Sequence, residues 1–335
     1  MPKKSSNKKL LIVFGVLLLL VSITFSADFF KKDSNYKSDL FTLDSAKISS
    51  ITIYPKRKNE SEIKFTKTGK DVWNLTQKGK SYVPDKGGIQ NLIDEMLRIK
   101  PERIAATDKS LWSKYEVTDT SGIRVTVEQE GKIVADLIIG KFSYQQNNQA
   151  DPNMQMNPYM MNQPKITSYV RLNGENDVYG VQGLLSMTFG RDLNSYRNKT
   201  IISSNKMDWT KVTATFPGDS SFVLTNNGTI WNMENAQADS AKINNYIQTI
   251  EYVTSSEFAD EIKPNAWQAL YTLTIDKKDK TQIKVQVFPG DAKYKFIVQT
   301  TENPNVNFGS AQENIVGKIF VSKFSLLPTV EVSKK

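Results

Sequence analysis

The side chains that carry most enzyme chemistry are missing from this chain. There is no cysteine and no histidine among its 335 residues. Thiol catalysis, disulfides, Cys-ligated zinc, the Ser-His-Asp triad and a histidine pH switch are therefore excluded. What remains is a short set of candidates. Asp85 and Asp239 offer a pair of carboxylates. Trp73, Trp112, Trp231 and Trp267 can line an aromatic groove for a glycan or a peptide. Met154, Met156, Met160 and Met161 cluster their thioethers, and soft sulfur suits Cu(I). Arg191, Asp192, Arg197 and Lys199 form a charged cluster able to meet a partner or lipid head groups. Serines and lysines are abundant, yet no spacing marks a Ser–Lys dyad. Walker-type phosphate loops, Asp-rich calcium loops and the dinucleotide Gly-x-Gly-x-x-Gly turn do not occur.

Each candidate also has a structural reading. Both aspartates stand directly before an apolar stripe at helical spacing, the place of an N-cap whose carboxylate accepts from the first-turn N–H groups. Tryptophans at strand ends are commonly core filler. The methionines lie in Tyr144–Gln163, a low-complexity Asn/Gln/Met/Pro loop, where Met also suits a partner's apolar surface. The arginine-rich cluster reads as a solvated linker with local ion pairs. No residue is thus assigned as catalytic, cofactor-binding or metal-ligating, and no cofactor is expected.

The elements that place these residues repeat. Ile89, Leu92, Ile93, Met96 and Leu97 follow Asp85 as one helical stripe, and Ile243, Tyr246, Ile247 and Ile250 follow Asp239 at a constant offset of 154. Strand-like alternation surrounds both helices. In the first copy it marks ITIY, EIKF and VWNL, then a hairpin of IRVTVEQ and KIVADLIIG through Glu130-Gly131, and another of SYVRL and DVYGV through Asn173-Gly174. In the second it marks KVTATF, SFVLT and IWNM, then YTLTID and TQIKVQVF, with YKFIVQ and KIFVSK (318–323) closing the unit. The expected fold class is α+β: two tandem repeats, each a mostly antiparallel sheet with one helix on a face. They occupy 46–190, with an insertion at 144–165, and 207–331, joined by a junction at 191–206.

Four lysines within the first nine residues precede the uncharged run Leu10–Phe25. This predicts a basic cytoplasmic tail at 1–9, a transmembrane signal anchor at 10–27 in the lipid bilayer, and a polar tether at 28–45. An uncleaved anchor is favoured over a cleaved signal peptide, because Thr24-Phe25-Ser26-Ala27 is a poor cleavage site. The body is then extracytoplasmic (periplasmic), held at the bacterial inner membrane. Of the formal charge of +9, residues 1–32 carry +5 and Lys334 and Lys335 another +2, which leaves +2 on the body. With no basic stripe, a nucleic-acid partner is not expected.

These features resemble the bacterial envelope family called domain of unknown function 4340. The resemblance rests on the N-terminal apolar segment, on Trp73, Asp85 and Ile139-Gly140, on Trp231 and Ala238-Asp239, and on the link Tyr196-Arg197-Asn198-Lys199. Pro84 stands where the family has alanine, and Phe288-Pro289 where Ile-Gly is expected. The resemblance implies membrane association and membrane-protein partners, the subunits of ABC-type exporters related to gliding-motility systems. It supplies no catalytic residue. The expected function is a non-enzymatic accessory subunit of such a complex. The alternative is an extracytoplasmic glycan- or peptide-binding module using the tryptophans or the Met-rich loop. A third class, a hydrolase working through carboxylates alone, requires Asp→Asn changes to abolish activity without unfolding.

Overall fold

The computed structural model describes residues 36–56, 60–145, 165–228, 230–262, 268–311 and 314–328. The expected anchor, the Met-rich cluster and Trp267 lie outside the described residues. The chain divides into two compact units, one formed by Met1–Glu62 with Ile93–Gly190, the other by Ile63–Leu92 with Arg191–Lys335.

In chain order the elements are β1 (Ile48–Tyr54), β2 (Ile63–Gly69), β3 (Val72–Gln77), β4 (Lys80–Tyr82), α1 (Lys86–Arg98), β5 (Pro101–Ala106), α2 (Trp112–Tyr115), β6 (Ile123–Gln129), β7 (Lys132–Gln145), β8 (Lys165–Leu172), β9 (Val178–Gln182), α3 (Leu185–Phe189) and α4 (Leu193–Tyr196). There follow β10 (Thr200–Ser203), β11 (Trp209–Thr215), β12 (Phe222–Asn226), β13 (Trp231–Met233), α5 (Ser240–Ile250), β14 (Tyr252–Thr254), β15 (Tyr271–Lys277), β16 (Gln282–Pro289), β17 (Phe296–Thr300), β18 (Phe308–Ser310) and α6 (Ile315–Ile319). The expected α+β class with antiparallel ladders is what the structure has.

In the first unit β1, β6, β7, β8, β9 and β5 are successive antiparallel neighbours. The β6–β7 hairpin turns where sequence places it, with Glu130 at φ 50° and Gly131 at φ 79°. Two left-handed central residues match the twist of a tight hairpin. One face carries Ile138, Tyr169 and Val178, covered by Trp112 and Val117. Part of the expected tether packs here: Leu40 is buried, and Lys37 pairs with Glu175 at 2.6 Å.

In the second unit β2, β3 and β4 form a meander, and β10 pairs with β14. A seven-stranded sheet runs β13-β12-β11-β15-β16-β17-β18. Its central strands alternate strictly. Leu273, Ile275, Ile283, Val285 and Val287 are fully buried, whereas Gln282 and Lys284 are exposed. Along this stretch one face is covered and the other open, and at Phe288 and Ile297 the opposite face is buried as well. The cover is α5, through Ile243, Tyr246, Ile247 and Ile250, together with Ile315, Val316 and Ile319 of α6. Burial pushes the Tyr246 phenol well above its ordinary range, and its hydroxyl donates to the Ile319 carbonyl at 2.8 Å.

Two sequence expectations are corrected. KIFVSK (318–323) is not a strand: α6 ends within it and a 3-10 turn, Lys323–Leu326, begins there. Ile315, Val316 and Ile319 share one helical face and fill the core over the sheet, so tertiary burial overrides their β preference. In α1, Ile89, Leu92, Ile93 and Met96 are buried as expected, but Leu97 is 39% exposed. Met96→Ala is therefore expected to cost about 2–5 kcal/mol. Leu97→Ala should cost less than about 1 kcal/mol, as a substitution away from the core. Urea unfolding of the two variants checks this.

Candidate functional site

Both repeated aspartates are helix caps. The Asp85 carboxylate accepts from Gly88 N at 2.7 Å, at the start of α1. The Asp239 carboxylate accepts from Ala241 N at 2.9 Å and Lys242 N at 3.1 Å, at the start of α5. Their own N–H groups are used alike: Asp85 N donates to the Tyr196 carbonyl at 2.8 Å and Asp239 N to the Leu326 carbonyl at 2.9 Å. Each acceptor is the last residue of a short helical turn, Leu193–Tyr196 or Lys323–Leu326, itself capped by Asp192 or Ser322. Asp85→Ala and Asp239→Ala should each cost about 1 kcal/mol. The Asp85 change is expected to fray α1 more, because Gly87 and Gly88 in its first turn are poor helix formers. Thermal melts of both variants, with hydrogen exchange at residues 86–98, test the difference.

The tryptophans do not assemble a groove among the described residues. Trp112 and Trp231 are each 9% exposed and sit in separate cores, and Trp73 is half-buried on β3. Trp209, not singled out by the sequence pattern, is fully buried and donates its indole N–H to Ser204 Oγ at 3.1 Å.

The junction is the larger correction. Arg197 is not part of a solvated linker; it is 2% exposed. It leaves α4 in extended conformation (φ −80°, ψ 152°), and Asn198 N donates to the Val83 carbonyl at 2.9 Å. The guanidinium grips Asp260 with both terminal nitrogens, Nη1 to Oδ2 at 2.6 Å and Nη2 to Oδ1 at 2.8 Å. Nη1 also donates to Asn194 Oδ1 at 3.2 Å. Its carbon lies 3.7 Å from the Phe258 ring centroid and 4.4 Å from that of Tyr82. A flat, weakly hydrated cation between two rings and against a bidentate carboxylate is an arrangement that lysine does not reproduce. Asp260 remains 31% exposed and stands at the rim of a polar cavity. The neighbouring Tyr196 phenol is pushed up by burial, and its ring meets Phe65 edge-on at 5.4 Å.

The first unit has a counterpart that sequence reasoning missed. Arg171, 2% exposed, stacks 3.7 Å from the Trp112 centroid. Its Nε donates to the Val117 carbonyl at 3.0 Å, and its Nη2 to Asp119 at 2.7 Å. The register places it opposite Ile138, beneath the segment that carries Trp112. An arginine in an alternating strand looks solvent-facing, and only that covering segment reverses the expectation.

Nearby, Arg124 holds Asp136 with two bonds of 2.9 and 2.7 Å, and Asn173 donates a third at 2.8 Å. Burial pushes the Asp136 carboxyl up, but the bonds from Arg124 and Asn173 outweigh it and hold it below the ordinary 3.8. A carboxyl depressed by folding adds stability that is complete above that ordinary value and is lost as pH falls through the lowered one. The first unit should therefore lose stability on acidification below about pH 4. Asp136→Asn should flatten that dependence, which melting curves between pH 6 and pH 2.5 would show.

Among the described residues no group of three or more Asp and Glu side chains is placed to hold a metal ion. Ser121 and Ser186 line a cavity of about 200 Å³ with Lys56 and Lys141. There Lys56 is paired with Glu116, and Ser121 Oγ lies 2.6 Å from Thr118 Oγ1, so that serine and that lysine are each engaged elsewhere.

Residues 161–284 match the family model described as domain of unknown function (DUF4340), the family that the residues themselves resemble. The matched stretch holds Arg171, Arg197, Asp239 and Asp260, while Asp85 and Ile139-Gly140 precede it. No curated protein and no solved structure matches the chain.

Proposed function

We propose, from the match to the DUF4340 family over residues 161–284, that this protein is a non-enzymatic, membrane-anchored, extracytoplasmic accessory subunit of an ABC-type export or gliding-like envelope complex. The observation that carries the reading is the lysine-flanked apolar run at 10–27 ahead of a nearly neutral body. By its charge bias the tail at 1–9 stays in the cytoplasm and the body lies outside. The bilayer contact is assigned to 10–27 on the length and apolarity of that run; no helix among the described residues is long and apolar enough to cross a membrane. The side chains agree with a scaffold role: Asp85 and Asp239 are engaged as caps, and Arg171 and Arg197 as buried pins.

The body is further proposed to be a duplication. Each repeat places a capped helix whose aspartate N–H reaches a carbonyl at the end of a later short turn, Tyr196 in one and Leu326 in the other. On that basis the first repeat extends through Tyr196.

Affinity capture of the tagged full chain from solubilised membranes should recover ATPase and permease subunits. Capture of neither would sink the transporter assignment. A phosphatase fused after residue 335 should be active, and an inactive fusion would overturn the orientation.

A further inference from the structure

We propose that the face of the seven-stranded sheet opposite α5 and α6 carries a binding site for a polyhydroxylated ligand, an oligosaccharide. Its floor is the cross-strand pair Gln286 and Gln299. These residues alternate with Val285, Val287 and Val298, which point into the core. On the floor's own face, the next pair is Phe288 and Ile297, which join Ala259 and Tyr294 in a small apolar cluster. That cluster holds the 258–262 segment against the sheet and raises Asp260 as one wall. The 301–307 turn, with Asn305 in the left-handed region at φ 69°, forms the other. The cavity between them is about 520 Å³, within the roughly 300–1,000 Å³ of small-molecule sites.

Three features select the class of ligand. The lining presents planar amides with spare capacity. The side-chain amides of Gln286 and Asn305 make no hydrogen bond to any described residue, and Gln299 spends its Nε2 on Asn307 Oδ1 at 2.8 Å while keeping its oxygen. A side-chain amide offers a donor and an acceptor in one plane, which suits adjacent sugar hydroxyls. The walls carry no excess negative charge, because both Asp260 oxygens are bound by Arg197, and Lys284, whose ammonium makes no ion pair among the described residues, adds a positive charge. No aromatic or large aliphatic side chain offers a specificity pocket, so drug-like and apolar ligands are disfavoured. A peptide adding as a strand needs an open sheet edge, and this groove lies on a face between paired strands.

The groove is also rigid. Arg197 fixes Asp260, Thr300 Oγ1 donates to the Ile201 carbonyl at 2.7 Å, and Lys284 N donates to Thr301 Oγ1 at 2.9 Å. Hydrogen-bonding side chains mounted on strands and held this way need little ordering when a ligand arrives.

Saturation-transfer NMR tests the site on the full chain in a detergent without a sugar head group, using the N-acetylglucosamine tetramer and cellotetraose as probes. At least one tetrasaccharide should bind. Gln286→Ala should weaken it by about tenfold, and the double variant Gln286→Ala/Asn305→Ala by more, with the melting curve unchanged. Gln286→Glu, which keeps the shape and removes the donor, should also weaken binding. The site is refuted if neither sugar binds at millimolar concentration. It is equally refuted if binding survives all three variants, or if an Asn/Gln-rich decapeptide occupies the groove and the sugars do not. The purified chain is tested alone, so the outcome is independent of any transporter partner.

Discussion

Asp260→Ala is expected to lower the stability of the unit containing Arg191–Lys335 by about 3–5 kcal/mol, because it strands a buried cation. The magnitude follows from which partner is exposed. Arg197 is 3% exposed on its side chain and Asp260 31%, so removing the aspartate leaves the guanidinium without counter-charge where water cannot reach it. Asn194 and the rings of Tyr82 and Phe258 remain, but none carries a negative charge. Arg197→Ala should cost less in charge, since water reaches Asp260, and more in packing, since two aromatic faces lose their partner. Arg197→Lys should recover little, as an ammonium cannot make the paired bonds or lie flat between the rings. Urea unfolding followed by near-ultraviolet circular dichroism would rank the variants. If Asp260→Ala costs under 1 kcal/mol, the pair is not the fastener described above. The same variant removes a wall of the sugar groove, so groove tests belong to Gln286 and Asn305, where stability is not at stake.

Gly140→Ala is expected to destabilise the first unit by about 3 kcal/mol. The added carbon would lie 2.1 Å from the Tyr115 carbonyl oxygen and 2.7 Å from Val117 Cγ1. The obstacle is largely backbone, which cannot swing away as a side-chain tip can, so β7 or the 115–117 segment must move. Gly131→Ala is the control: it sits at φ +79° with nothing within 4 Å, so it should cost only the conformational strain of about 1–2 kcal/mol. Thermal melts in which Gly140→Ala is no worse than Gly131→Ala would refute the close-approach account. The Ile139-Gly140 pair is thereby explained as packing. A glycine is needed because the left-handed turn at Glu116 (φ 59°) brings the end of α2 onto the strand.

Much of the scaffold was legible because its signals are local. Helical spacing after Asp85 and Asp239, strand alternation in YTLTID and TQIKVQVF, and the Glu130-Gly131 turn all depend on residues within a few positions of each other. Short elements escaped: β4, β10, β14 and β18 are three or four residues long, too brief for a period to register, and β5 (PERIAA) carries proline, charges and alanines in place of alternating large apolar residues. The 318–323 segment misled because isoleucine, valine and phenylalanine favour strands, while the core over the sheet had room for a helix.

By itself the sequence settled the chemistry that is absent, the α+β class and the capped helices, since composition and short-range periodicity suffice for each. Only the tertiary structure decided the fate of the charged residues. Arg197 and Asp260 lie 63 positions apart, and Arg171 and Asp119 lie 52 apart. A strand's alternation says which face a residue takes, not whether that face meets solvent, a ring or a carboxylate. For the same reason Gln286 and Gln299 look like ordinary solvent-facing positions until the Asp260 segment and the 301–307 turn enclose them. Burial of a charge is a property of everything folded around it, and distant segments supply that.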